Sequence, residues 1–219
     1  MENRTTFRSL LLAALLLPAL AFAGPIIIEP IPGASDGGSL GGYDMTPFAA
    51  PGTTGPGETI TEVDSPLGGT LEFTDQAGDP LGMRASDPDW WQYDHGNVYV
   101  TTVNWVEILL PAGTRAFSFW VGASFRGTAW IQAFDGSEYS TERVYFGVGR
   151  NNTSGYGAYT TDACSSITRI IVEPSDWGMG NFSINQGSGG CAEVPEPAPL
   201  GLLGLGLLGI ALSRRLRAG

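Results

Sequence analysis

The sequence predicts an all-β fold, an antiparallel β-sandwich of jelly-roll-like form, carried between two helical ends. Three observations predict it. Short runs rich in Val, Ile, Thr, Phe, Tyr and Trp recur between about Thr59 and Gln186, each bounded by Gly, Pro, Asp or Asn. Side chains alternate within them, as where Phe117, Phe119 and Val121 interleave with Ala116, Ser118 and Trp120. No stretch of the body sustains a 3.6-residue apolar period over three turns.

The expected strands are Thr59–Asp64, Gly69–Asp75, Val98–Leu110, Arg115–Gly122, Thr128–Phe134, Glu138–Gly147, Gly155–Thr160, Ile167–Glu173 and Asn181–Asn185. Asp135-Gly136 is a strong turn signal. The spacing of these runs suits two packed antiparallel sheets in one domain, residues 58–192. Residues 24–57 hold 9 glycines and 6 prolines, too little apolar surface to offset ordering, and read as a largely disordered lead-in. Within it, Ile26-Ile27-Ile28 and Tyr43–Phe48 remain able to dock as a strand or clasp.

Charge narrows function. The 219 residues carry 22 acidic side chains and 11 basic ones, a net charge of −11, and every basic residue is arginine. Such a surface repels phosphate backbones, so no nucleic-acid partner is expected. Lysine Schiff-base chemistry and a Gly-Lys-Ser/Thr phosphate loop are excluded. One histidine and two cysteines cannot build a His/Cys metal cage. The arginines also cluster at the ends, leaving residues 24–192 with 19 acidic residues and 6 arginines.

Residues 1–23 read as a secretory signal peptide. Arg4 and Arg8 precede the apolar stretch Leu10–Leu17, and Ala21-Phe22-Ala23 fits the small-x-small cleavage pattern, with Ala21 and Ala23 as its small residues. Sec machinery and signal peptidase are the implied partners.

Residues 193–219 divide into three parts: Val194-Pro195-Glu196-Pro197, an apolar segment over 198–212, and a basic end with Arg214, Arg215 and Arg217. The segment is short for a durable membrane span, and the arginines hold its far end in the cytoplasm. Prolines ahead of it keep the motif extended and accessible. These residues resemble the PEP-CTERM sorting signal of Gram-negative bacteria. The resemblance implies recognition by a membrane-embedded exosortase, transient anchoring in the inner membrane, and delivery to the cell surface or an extracellular biofilm matrix. The order of strands after Arg115 is also similar to jelly-roll bodies found upstream of such signals.

Cys164 and Cys191 form an even pair in an exported chain, which favours a disulfide closing a loop of about 27 residues, worth roughly 3–4 kcal/mol in loop-closure entropy. The stretch from Asp87 to Asn97 is the densest in chemistry. Trp90, Trp91 and Tyr93 offer flat faces for sugar rings, or plug an end of the sandwich. Asp87, Asp89 and Asp94 supply oxygen ligands for Ca²⁺, or are simply solvated, and their spacing is not that of an EF-hand.

Asp94 and His95 permit a Ser-His-Asp arrangement only formally, because no Gly-x-Ser-x-Gly elbow is present. No catalytic residue is therefore assigned. Glu107, Glu138 and Glu142 lie on expected strands, but nothing in the sequence singles them out as a glycosidase pair. The expectation is a non-enzymatic exported protein whose sandwich binds or scaffolds exopolysaccharide. The alternatives are a glycan-active enzyme of the same matrix and a structural surface protein without a specific ligand.

Overall fold

The structure is a computed structural model that describes residues 26–31, 38–49, 57–86, 98–123, 126–136, 141–149, 154–162, 164–173 and 177–187. Two antiparallel sheets face each other across one core. The larger sheet runs β1(Ile26–Ile31)-β13(Ser154–Thr160)-β10(Thr114–Ala123)-β15(Trp177–Gln186)-β8(Val98–Thr101)-β7(Met83–Ser86)-β4(Thr59–Ile60). It also holds β3(Tyr43–Pro47), which pairs with β15, and β2(Gly38–Leu40), which pairs with β3. The smaller sheet runs β12(Val144–Val148)-β11(Gly127–Phe134)-β14(Arg169–Glu173)-β9(Val106–Leu109)-β6(Thr70–Thr74)-β5(Glu62–Asp64). The sandwich expected from the sequence is present. The expected signal helix and transmembrane helix lie outside the described residues, and no helix of the described residues is long and apolar enough to cross a membrane.

Alternation builds the core. Phe117, Phe119 and Val121 of β10 are fully buried, as are Ala129, Ile131 and Ala133 of β11 and Ile170 and Val172 of β14. At the centre, the Phe182 ring stacks on Tyr99 at 5.6 Å and on Phe117 at 5.7 Å, with Phe48 edge-on at 5.9 Å. A β-bulge aims Phe182 there. Between the pairs Ser118↔Ser183 and Trp120↔Gly180, two residues of β15 oppose the single Phe119 of β10. Asn181, at φ 49°, takes the left-handed conformation the bulge requires, which Asn tolerates better than a branched side chain.

The expectation of a loose lead-in needs correction, since β1, β2 and β3 all arise from it. Ile26 is buried against the core, and β1 pairs with β13 along its whole length. The β2–β3 hairpin lies on the outer face of the larger sheet. Leu40 occupies the space that a side chain at Gly157 would fill, and the Tyr159 ring does the same at Gly41. Tyr43 donates its hydroxyl to the Thr160 carbonyl at 3.1 Å. Burial, reinforced by the Glu29 carboxylate, raises the pKa of Tyr159.

Other boundaries differ for physical reasons. Val98–Leu110 is two strands in different sheets, because the chain crosses between layers through the exposed Thr102 and Asn104. Thr59–Asp64 divides in the same way into β4 and β5. The strand expected over Glu138–Gly147 is described only from Val144. Strand β7 had no β-branched signal, yet Met83 is fully buried and Ala85 nearly so.

Candidate functional site

The outer face of the smaller sheet is the surface on which the described residues gather polar and aromatic groups. Its strands turn Ala129, Ile131, Ala133, Phe146, Val148, Ile170 and Val172 into the core, so the alternate residues of β11, β12 and β14 point outward. Register places them in rows. Tyr145 of β12 lies opposite Trp130 of β11, which lies opposite Glu173 of β14. One residue beyond the Val172↔Val106 pair comes Trp105, and its ring meets Trp130 edge-on at 5.5 Å, interplanar angle 79°. The next row carries Gln132, Ile171, Glu107 and Thr74, and the third Phe134, Arg169, Leu109, Glu72 and Glu62.

Two arginines are laid across these rows. Arg143 places its guanidinium carbon 4.0 Å from the centre of the Trp130 ring. Arg169 lies 4.1 Å above Phe134 and donates to Glu107 Oε1 at 2.6 Å. The Glu107 side chain is mostly shielded, at 12 % exposure, so its carboxylate is committed to the ion pair. Trp130 is itself only 6 % exposed beneath its neighbours, whereas Tyr145 beside it is 63 % exposed. Gln132 donates from Nε2 to the Thr141 carbonyl at 2.8 Å, fixing the approach to β12. Trp105 Nε1 and Thr74 Oγ1 are buried on this face with no protein hydrogen-bond partner.

Chemically, the arrangement is an open aromatic face, Tyr145, set among a guanidinium, carboxylates and an amide that can exchange hydrogen bonds with hydroxyl groups. Glu107 and Glu173 stand two positions apart on adjacent strands, and the Glu107 carboxylate is taken up by Arg169. Among the described residues no group of three His, Cys, Asp or Glu side chains could hold a metal ion.

The residues singled out by sequence fall mostly elsewhere. Trp90, Trp91, Tyr93, Asp87, Asp89, Asp94 and His95 lie outside the described residues, as do Ala21, Ala23, Cys191, Glu138 and the whole of 193–219. Cys164 is described. It is exposed beyond the end of β13, and its N–H donates to Asp162 Oδ1 at 2.8 Å. Glu142 is exposed. The sequence did not single out Trp105, Trp130, Arg143 or Tyr145. The available signal was the alternation of Trp130, Gln132 and Phe134 with Ala129, Ile131 and Ala133.

Comparison with known proteins decides what the tail is. The PEP-CTERM protein-sorting motif matches residues 193–215. The chain carries a PEP-CTERM sorting motif. That motif indicates export, transient membrane anchoring and sorting to the cell surface, with exosortase processing implied. No curated protein matches this chain. Solved structures similar to it include a family 29 carbohydrate-binding module mutant, CBM29-2 K85A, at 14 % identity and TM-score 0.32, covering 58 % of this chain and 99 % of that one. Another is CBM29_1, a family 29 carbohydrate-binding module from Piromyces equi, at 13 % identity and TM-score 0.34, covering 65 % and 91 %. A third is the K1 cleaved adhesin domain of Lys-gingipain from Porphyromonas gingivalis W83, at 8 % identity and TM-score 0.25, covering 61 % and 100 %.

Proposed function

We propose that this protein is a non-enzymatic, exosortase-processed component of the cell surface or extracellular matrix whose sandwich binds polysaccharide on the outer face of its smaller sheet. One observation carries the reading. Tyr145, the most exposed large apolar side chain among the described residues, stands in register with Trp130 and Glu173 and two residues from Arg143. A sugar ring stacked on Tyr145 would bury its apolar C–H face, with its hydroxyls within the range of Glu173 and Arg143. The sorting motif supports the surface location in this reading.

Trp90, Trp91 and Tyr93 extend the proposal as a second aromatic group, and Asp87, Asp89 and Asp94 as oxygen ligands for Ca²⁺. The Cys164–Cys191 disulfide belongs to the same reading, supported by the finding that no described cysteine is a free thiol. Removal of residues 1–23 by signal peptidase and of the tail by exosortase would complete maturation.

Affinity electrophoresis through gels containing neutral, acidic or amino-sugar polysaccharides, with calcium and with chelator, tests the binding claim. Retardation in at least one polymer is expected, and uniform mobility in all of them would remove it. Release of reducing ends from a retarding polymer would instead favour the glycan-active enzyme.

A further inference from the structure

Both ends of the described body leave the sandwich at one pole. Ile26 pairs with Thr160 and Gln186 with Thr114, at the same end of adjacent strands in the order β1-β13-β10-β15. Three strand spacings put the two exits about 14 Å apart. Only residues 187–192 separate Gln186 from the sorting motif that starts at 193. From Gly187 to Leu200, where the apolar run begins, the chain spans at most about 45 Å when fully extended.

That pole is braced where the tail departs. Ser65 donates to Gln186 Oε1 at 2.9 Å, and Gln186 Nε2 donates to the carbonyls of Gly68 at 3.1 Å and Ala112 at 3.2 Å. Gly187 N–H donates to the Gly113 carbonyl at 3.0 Å. The turn after β5 is closed by Ser65 N–H to the Gly69 carbonyl at 2.9 Å. At its tip stands Leu67, 47 % exposed. Three large apolar side chains are exposed among the described residues: Ile27, Leu67 and Tyr145. Ile27 and Leu67 both belong to this pole, one beside each exit.

We propose that this pole is a membrane-contact surface, which seats Leu67 and Ile27 against the lipid headgroup and acyl boundary while the sorting tail is inserted. The tether makes the encounter intramolecular, so two small apolar contacts suffice where they would be negligible for a free domain. The seating is apolar rather than electrostatic, because the body is strongly acidic and anionic lipid repels it. It would leave Tyr145, farther along the smaller sheet, clear of the bilayer.

The test uses the full chain, tail included, in phosphatidylcholine vesicles, with an environment-sensitive fluorophore on Leu67→Cys, Ile27→Cys or the exposed reference Thr128→Cys, and the unsubstituted chain as labelling blank. Labels at 67 and 27 are expected to shift to the blue and to be quenched by headgroup spin-labelled lipid, while that at 128 stays aqueous. Adding phosphatidylglycerol should weaken both effects. Leu67→Glu should return the label at 27 to its aqueous emission. Equal signals at all three positions would overturn the proposal. So would shielding that appears only in membranes containing exosortase, since the contact would then be with protein.

Discussion

Arg143 lies over Trp130, its guanidinium carbon 4.0 Å from the ring centre, while Trp105 closes the ring's edge at 5.5 Å. The pair gives the smaller sheet a firm outer layer beside the open ring of Tyr145. Replacing Arg143 with Ala removes one cation–π contact, worth about 0.5–1 kcal/mol at an exposed site, and uncovers the indole. Urea denaturation should show that loss, and acrylamide should reach a larger fraction of the tryptophan fluorescence. Unchanged stability and unchanged quenching together would show that the stacking has no weight in solution.

Asn181 holds the bulge that sends Phe182 into the core, at φ 49°. Asn181→Gly should leave stability close to that of the parent. Asn181→Val should cost roughly 1–2 kcal/mol, since a branched residue resists the left-handed region. Equal denaturation midpoints for the two variants would mean that the backbone relaxes out of that conformation.

Tyr99 gives the fold an alkaline limit. Burial pushes its pKa from the ordinary 10.0 to about 12. The folded chain therefore keeps a proton that the unfolded chain has lost. This contribution is whole below pH 10 and declines as pH rises to about 12, at roughly 1.4 kcal/mol per unit. Tyr99→Phe should flatten the loss of stability over that interval, as followed by denaturation at fixed pH values. An equally steep loss in the variant would assign it to other groups.

Thr74 is 6 % exposed, and its hydroxyl has no protein partner. Thr74→Val keeps the shape and removes the unpaired group, so stability should stay level or rise by about 1 kcal/mol. A clear fall in the thermal midpoint would reveal a hydrogen bond made in solution.

Much of the fold was legible where alternation is strict. Phe117, Phe119 and Val121 announced β10 and its inward face, and Ile170 and Val172 did so for β14. Crossings between layers were not legible, because Val98–Leu110 reads as one apolar run and only pairing with different partners splits it. Strand β7 was invisible for want of β-branched residues, while β1 and β3 were legible only as Ile26-Ile27-Ile28 and Tyr43–Phe48, stretches able to dock among glycines and prolines. The site was harder still. A period of two separates Trp130 from Ile131 without saying which side is solvent, and only the facing sheet decides that. The register joining Tyr145, Trp130 and Glu173 spans three strands and leaves no mark in sequence. The sorting motif was fully legible, because it is read as a linear peptide rather than assembled by folding.

The most direct measurement is the affinity of Tyr145→Ala and Tyr145→Phe, beside the parent protein, for a polysaccharide that retards the parent. If the sugar stacks on Tyr145, the alanine variant should bind about three- to tenfold more weakly, as expected for the loss of one aromatic contact. The phenylalanine variant, which keeps the ring, should stay close to the parent. Undiminished binding by the alanine variant, with its fold intact by near-UV circular dichroism, would contradict a binding face on the smaller sheet.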